Sequence, residues 1–267
     1  MLTLSTGRGN EPIRIPWKFQ LPKVCEITFN GREYVLNAVY AAIIPETALG
    51  SGYAGVDFGQ VHIAVVNTGV GTFIANGHEL RSKRLYQNKV KKRFQYKMDK
   101  CVRHSRKWKR LNRARARALC KLNNQARDIL HKQTNAIVCV MEKEGIQTVG
   151  IGNVRNMRKN VGYRVPVGTV RSMVAYKSQR IGMTVEFIDD EYYRCTCPRC
   201  IERNITDDRI YLCAKCGFEH HLDRLGAISI RNFTKYREYV PVIGDMTPPV
   251  GIRYYADTSR TSAARSA

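Results

Sequence analysis

The stretch GVDFGQVHIAVVNTGVGTFIANG, residues 55–77, decides the fold. Its apolar residues fall in short runs broken by Gly59, Gly69, Gly71 and Gly77. Runs this short, rich in valine and isoleucine and separated by turn-forming residues, predict two or three strands of a β-meander. Asp57 lies on the first of them, between Val56 and Phe58. A carboxylate in the middle of an apolar strand is costly unless it holds a metal or meets a partner. Asp57 is therefore a candidate site residue, with a plain turn or capping aspartate as the alternative.

On the N-terminal side, PIRIPWKFQLPKV is proline-broken and extended, and CEITFNGREYVLNAVYAAII alternates as a hairpin does around Asn30-Gly31. The loop PETALGSGY then leads into the meander. On the C-terminal side no proline occurs from Glu79 to Lys143, the apolar residues recur at helical intervals, and long helices are expected. GIQTVGIGNV predicts a buried strand ending at Gly152-Asn153. A helix from about Thr169 to Arg180 and a strand over MTVEFID, residues 183–189, would complete a βαβ crossover. A last helix is expected from His221 to Tyr236, with Asp223 near its start, and residues 237–267 are expected to be a disordered tail. A meander followed by helices alternating with strands is the pattern of an RNase H-like mixed α/β sheet with helices packed on it.

The charge points to the partner. The 45 Lys and Arg against 22 Asp and Glu leave a formal excess of 23 positive charges. Such an excess repels itself in a compact fold and is usually kept for a polyanion, where it displaces counterions from phosphates. In SRKWKRLNRARARALCKLNNQARDILHK, basic residues take nearly every non-core position, and Arg106, Lys107, Lys109, Arg110, Arg113 and Arg115 are the candidate nucleic-acid contacts; the alternative is a solvated basic helical hairpin. No apolar run is long enough for a membrane helix and no apolar signal region opens the chain, so a cytoplasmic location without membrane contact is expected.

Nine cysteines without a secretion signal argue for a metal site plus leftover thiols. In CPRCIERNITDDRIYLCAKCG, two CxxC knuckles enclose twelve residues between Cys200 and Cys213. Each knuckle lets two thiolates face one tetrahedral ion, so Cys197, Cys200, Cys213 and Cys216 predict a structural Zn²⁺ in a ribbon over residues 195–216. Cys195 is close enough to be a rival ligand. Asp223 follows the ribbon in HHLDRLGAISIRN, where Gly226 and Ala227 would let its helix approach the sheet; a helix N-cap is the alternative role. Carboxylates converging from separate elements are what two-metal phosphodiester hydrolysis needs.

With these pieces in place, the chain resembles the TnpB (OrfB) proteins of insertion sequences, relatives of the single-effector CRISPR nucleases and of Fanzor proteins. The resemblance rests on STGRGNEPIRIPW, GVDFG, SRKWKRLNRA, DILHK, VGIGNVRNMRKN, IDDEYYRCTCPRC and CGFEHHLDRLGAISI. It implies a RuvC-like nuclease domain over residues 51–236, containing the basic helical segment 79–143 and the ribbon 195–216, preceded by residues 1–50 as the remnant of a β-rich recognition domain. It further implies catalytic Mg²⁺, a guide RNA from the transposon end and a DNA target. Asp57 and Asp223 match the family's first and last acids, whereas Gly152 stands where many members have the middle glutamate. A branch of the family carries that acid later, just before the first zinc cysteine, which points to Asp190 or Glu191. Tyr193, Arg194 and Cys195 replace the family's Thr-Ser-Gln at that place. Three readings follow: an RNA-guided DNA endonuclease with weakened hydrolysis, a guided DNA-binding protein without cutting, and an inert truncated element remnant.

Overall fold

A computed structural model describes residues 1–45, 50–59, 61–153, 165–189, 194–206, 210–241 and, for the backbone, 250–252. The chain divides into two compact units, residues 1–43 with 90–121, and residues 44–89 with 122–267.

In the first unit, strands β1 (Leu2–Leu4) and β2 (Ile13–Ile15) pair antiparallel, as do β3 (Val24–Phe29) and β4 (Tyr34–Val39). The second pair is the hairpin expected around Asn30-Gly31. Asn30 Oδ1 accepts the N–H groups of Arg32 and Glu33, and Gly31 takes a left-handed φ of 92°. A Cβ on Gly31 would come within 3.1 Å of the Ala116 side chain, so this turn is seated on a helix. Residues 90–121 group with the N-terminal strands in the first compact unit.

Two helices link the units: α1 (His78–Asp99) and α2 (Arg106–Lys143). Ser105 caps α2 by accepting the Trp108 N–H. Along its second half, α2 buries Ala126, Ile129, Leu130, Gln133, Thr134, Ile137, Val138 and Met141, an unbroken three-and-four spacing that presents one stripe.

The second unit is a six-stranded mixed sheet. Strands β5 (Gly52–Asp57), β6 (His62–Asn67) and β7 (Thr72–Asn76) form the antiparallel meander. Strands β8 (Ile146–Gly152) and β9 (Thr184–Ile188) add in parallel beside β5, joined by helix α3 (Val167–Arg180). Between β9 and the last helix lies the small hairpin of β10 (Ile210–Leu212) and β11 (Glu219–His221), followed by α4 (Leu222–Tyr236). A last strand, β12 (Val250–Ile252), pairs in parallel with β7. The strand order is β12-β7-β6-β5-β8-β9.

The period-two alternation of the central strands assigns the two faces. Ala54, Val56, Phe58, Val149 and Ile151 join one core with the α2 stripe and with Val170, Met173 and Val174 of α3. Gly55 and Gly150, on the opposite face, lie against α4. A Cβ on Gly55 would be 2.2 Å from the Ala227 carbonyl oxygen, so glycine there sets how closely α4 can approach. Asp57 shares that face.

Candidate metal centre

The four ribbon cysteines come together. Their sulfurs all lie within 4.8 Å of one another, with 3.7 Å between Cys197 and Cys216 and 3.5 Å between Cys200 and Cys213. Four thiolates around a tetrahedral ion at ~2.3 Å would be ~3.8 Å apart, so the cluster has the dimensions of a single-ion site. Burial opposes ionisation of Cys213, but the N–H groups of Cys216 and Lys215 and the neighbouring thiols outweigh it and draw its pKa down to about 6. Burial pushes Cys197 up to about 12. Cys195 stands outside the cluster, its carbonyl accepting the Asn204 N–H at 3.0 Å.

The hairpin around the cysteines runs on to His221, past the expected limit at residue 216, because β11 pairs with β10. Its small core is Cys197, Tyr211, Cys213, Phe218 and Leu225. Tyr211 is fully buried and donates its hydroxyl to Asn204 Oδ1 at 2.6 Å. Leu225 belongs to α4, so the ribbon is welded to the first turn of that helix.

Asp223 lies in that first turn. Its backbone N–H is capped by His221 Nδ1 at 3.3 Å, and its Oδ2 accepts a hydrogen bond from His62 Nδ1, on β6, at 2.9 Å. Burial pushes the Asp223 carboxyl up, but the His62 hydrogen bond and the charges of His221 and Arg194 outweigh it and hold it below the usual range. Asp57 ends β5 and is 1% exposed. Burial raises its pKa to about 6, against the pull of Arg194 and with a push from the charge of Asp223.

The two carboxylates therefore feel one another, and Gly226 lets helix α4 pack close to Asp57. A Cβ on Gly226 would be 2.6 Å from Asp57 Oδ2, and one on Gly59 would be 3.8 Å from Asp223 Oδ2. Arg194 reaches into this place from the approach to the ribbon: its Nη2 donates to Asp57 Oδ1 at 2.8 Å, to Oδ2 at 3.0 Å and to the Phe58 carbonyl at 2.9 Å. Two carboxylates and a backbone carbonyl are oxygen donors of the kind a hard divalent ion prefers, with Arg194 standing on those of Asp57 and Phe58.

Asp190 and Glu191 lie outside the described residues. At Gly152 the strand end carries no acid; the next residue, Asn153, donates from Nδ2 to Asp189 Oδ1 at 2.8 Å and accepts from Arg171 at 2.9 Å. His62 is a participant that sequence reading misses, because its partner is 161 residues away and no local pattern marks it. Arg194 is visible in the sequence only as a cation near the site.

The candidate nucleic-acid contacts fall on the first turns of α2. Arg106, Lys107, Lys109, Arg110 and Arg113 are exposed, whereas Arg115 is half-buried and donates to Gln95 of α1 at 3.2 Å. Lys91, Lys92, Arg93 and Lys97 of α1 are exposed in the same unit and extend the basic surface beyond the residues picked from sequence. Among the described residues, no helix is long and apolar enough to cross a membrane.

Comparison with known proteins agrees with this arrangement. Residues 36–158 match the OrfB_IS605 family model, a probable transposase, and residues 168–230 match the Cas12f1-like TNB domain. No curated protein matches the chain. Among solved structures, a CRISPR-Cas12f ternary complex aligns over 74% of this chain and 42% of its own, at TM-score 0.56 and 15% identity. A Cas12f1-sgRNA-target DNA complex aligns over 71% and 40%, at TM-score 0.56 and 14% identity. The chain thus spans about two fifths of the length of those proteins, and the likeness is one of fold. Taken with the sequence motifs, the two adjoining family matches and this shared fold mean that the chain belongs to the TnpB (OrfB) family.

Proposed function

We propose that this protein is an RNA-guided DNA-binding protein with a RuvC-like, RNase H-like nuclease centre built on Asp57 and Asp223. One observation carries the reading: a buried strand carboxylate and a helix-start carboxylate lie near enough to feel one another's charge, where Gly226 lets their elements pack closely and Arg194 supplies a cation. The mixed strand order, with an antiparallel meander and parallel additions beside β5, supports the RNase H-like assignment. Mg²⁺, when bound, would supply activation of water and stabilisation of the leaving oxygen. Asp57 and Asp223 would hold it, His62 would orient Asp223, and Asp190 and Glu191 are the candidates for a third acid. The four cysteines would hold a structural Zn²⁺ that leaves no position for catalysis.

The partners follow from chemistry and from the relatives. The basic faces of α1 and α2 suit a phosphate backbone, and the Cas12f1 relative is bound to sgRNA and target DNA. By analogy, this chain would use a guide RNA, one from its own transposon end, in a prokaryotic cytoplasm. The test is cleavage of matched duplex DNA by the zinc-loaded protein with its guide and Mg²⁺. Cutting lost in Asp57→Asn and in Asp223→Asn, with guide-dependent binding intact, supports the proposal.

A second reading, guided binding without cutting, is favoured by two observations: Gly152 stands at the strand end where an acid would complete the set, and Arg194 neutralises Asp57. Guide-dependent DNA binding with no cleavage at any guide length would establish it in place of the first.

A further inference from the structure

Among the described residues, Asp57 has one cationic partner at ion-pair distance, Arg194. A single nitrogen of Arg194 faces both carboxylate oxygens and the Phe58 carbonyl at 2.8 to 3.0 Å, an all-oxygen set of the kind that a hard divalent cation takes. The stem of Arg194 lies against Gly226, with Cγ 3.5 Å from where a Cβ would be. Its side chain is 31% exposed while that of Asp57 is 1% exposed, so the arginine reaches the buried acid from the solvent side and has a way back. Its backbone is held close by, through the Thr196–Arg203 bridge and the Asn204 hydrogen bond to the Cys195 carbonyl. Only the side chain would have to move.

We propose that Arg194 is a tethered plug: its guanidinium competes with a divalent cation for Asp57, and the metal enters when the arginine swings out. This rests on the reading of Asp57 and Asp223 as metal carboxylates. The physical argument is exclusion by charge and space. A guanidinium and a divalent ion repel strongly when both face one carboxylate in a buried setting. One of them, however, must be there, because the buried charge of Asp57 is costly when unpaired. Arginine does not lose its proton in the working pH range, so alkalinity does not lift the plug; metal concentration, or a phosphate that draws the guanidinium away, does.

The experiment measures Mn²⁺ binding to the zinc-loaded full chain from the free Mn²⁺ EPR signal, in wild type, Arg194→Gln, Arg194→Lys and the double variant Arg194→Gln/Asp57→Asn. Removing the charge should tighten Mn²⁺ binding about tenfold or more, keeping it with lysine should leave affinity near wild type, and the double variant should lose the tightened site. A measurement on wild type alone guards against a variant that does not fold. Labelling of Arg194 by phenylglyoxal, read by mass spectrometry, should rise severalfold on saturation with Mn²⁺. Equal or weaker Mn²⁺ binding in Arg194→Gln, or labelling that Mn²⁺ does not change, overturns the plug while leaving the metal-site reading intact. Absence of Mn²⁺ binding in every form overturns both.

Discussion

Asp57 is held in a setting that works against its own charge. Its pKa is raised from 3.8 to about 6 by burial, so the folded protein favours the protonated acid more than the unfolded chain does. Well below 3.8 both states are protonated and nothing is lost; the folded state loses stability as pH rises from 3.8 to about 6, and the loss levels off above that at roughly 3 kcal/mol for ~2 pKa units at ~1.4 kcal/mol each. Asp57→Asn should therefore raise the melting temperature in Mg²⁺-free buffer at pH 7.5 by a few degrees, and abolish any cleavage. The gain should shrink below about pH 5. Thermal melts of both proteins across pH 4.5–8 would check this, and an unchanged difference would sink the argument. A residue that destabilises the fold it sits in is expected where function requires it.

At the scale of elements, the closeness of α4 to the sheet brings the two acids together. Gly226→Ala would place a Cβ 2.6 Å from Asp57 Oδ2, against a side chain that can shift. Gly55→Ala would place one 2.2 Å from the Ala227 backbone carbonyl, which can move only with the helix. Overpacking of this kind costs about 1–3 kcal/mol. Gly55→Ala should be the more destabilising of the two by urea denaturation. Both should reduce cleavage on the order of a hundredfold, since an ångström of misplacement is enough for that. The ribbon is the second coupling element. Its core shares Leu225 with α4, two positions from Asp223, and its entry carries Arg194. Cys213→Ser, or zinc extraction by a chelator, should open residues 195–221 to limited proteolysis and weaken Mn²⁺ binding at Asp57 and Asp223, although no cysteine touches that site.

For the whole molecule, the excess of 23 positive charges predicts binding that falls steeply with salt. Replacing Lys107, Lys109 and Arg110 together by alanine should weaken nucleic-acid binding. It should also lower the slope of log K against log salt by about 3 if each contacts a phosphate of duplex DNA. Fluorescence anisotropy between 50 and 300 mM salt would measure it; an unchanged slope would move the phosphate contact elsewhere, with Lys91, Lys92 and Arg93 of α1 the next exposed cations to test.

The sequence by itself determined what depends on local periodicity and spacing. The meander over residues 52–76, the crossover β8-α3-β9, the α2 stripe and the pair of cysteine knuckles were all legible there, because each is set by residues near in the chain. Asp57 and Asp223 stand out in the sequence only as acids in apolar or helix-start surroundings. Only the tertiary structure decided that residues 90–121 join the N-terminal strands, that a strand at Val250–Ile252 completes the sheet edge, and that His62 holds Asp223 while Arg194 holds Asp57. These pairings join residues far apart in the chain, or depend on which sheet edge is left unpaired. Periodicity carries no information about either.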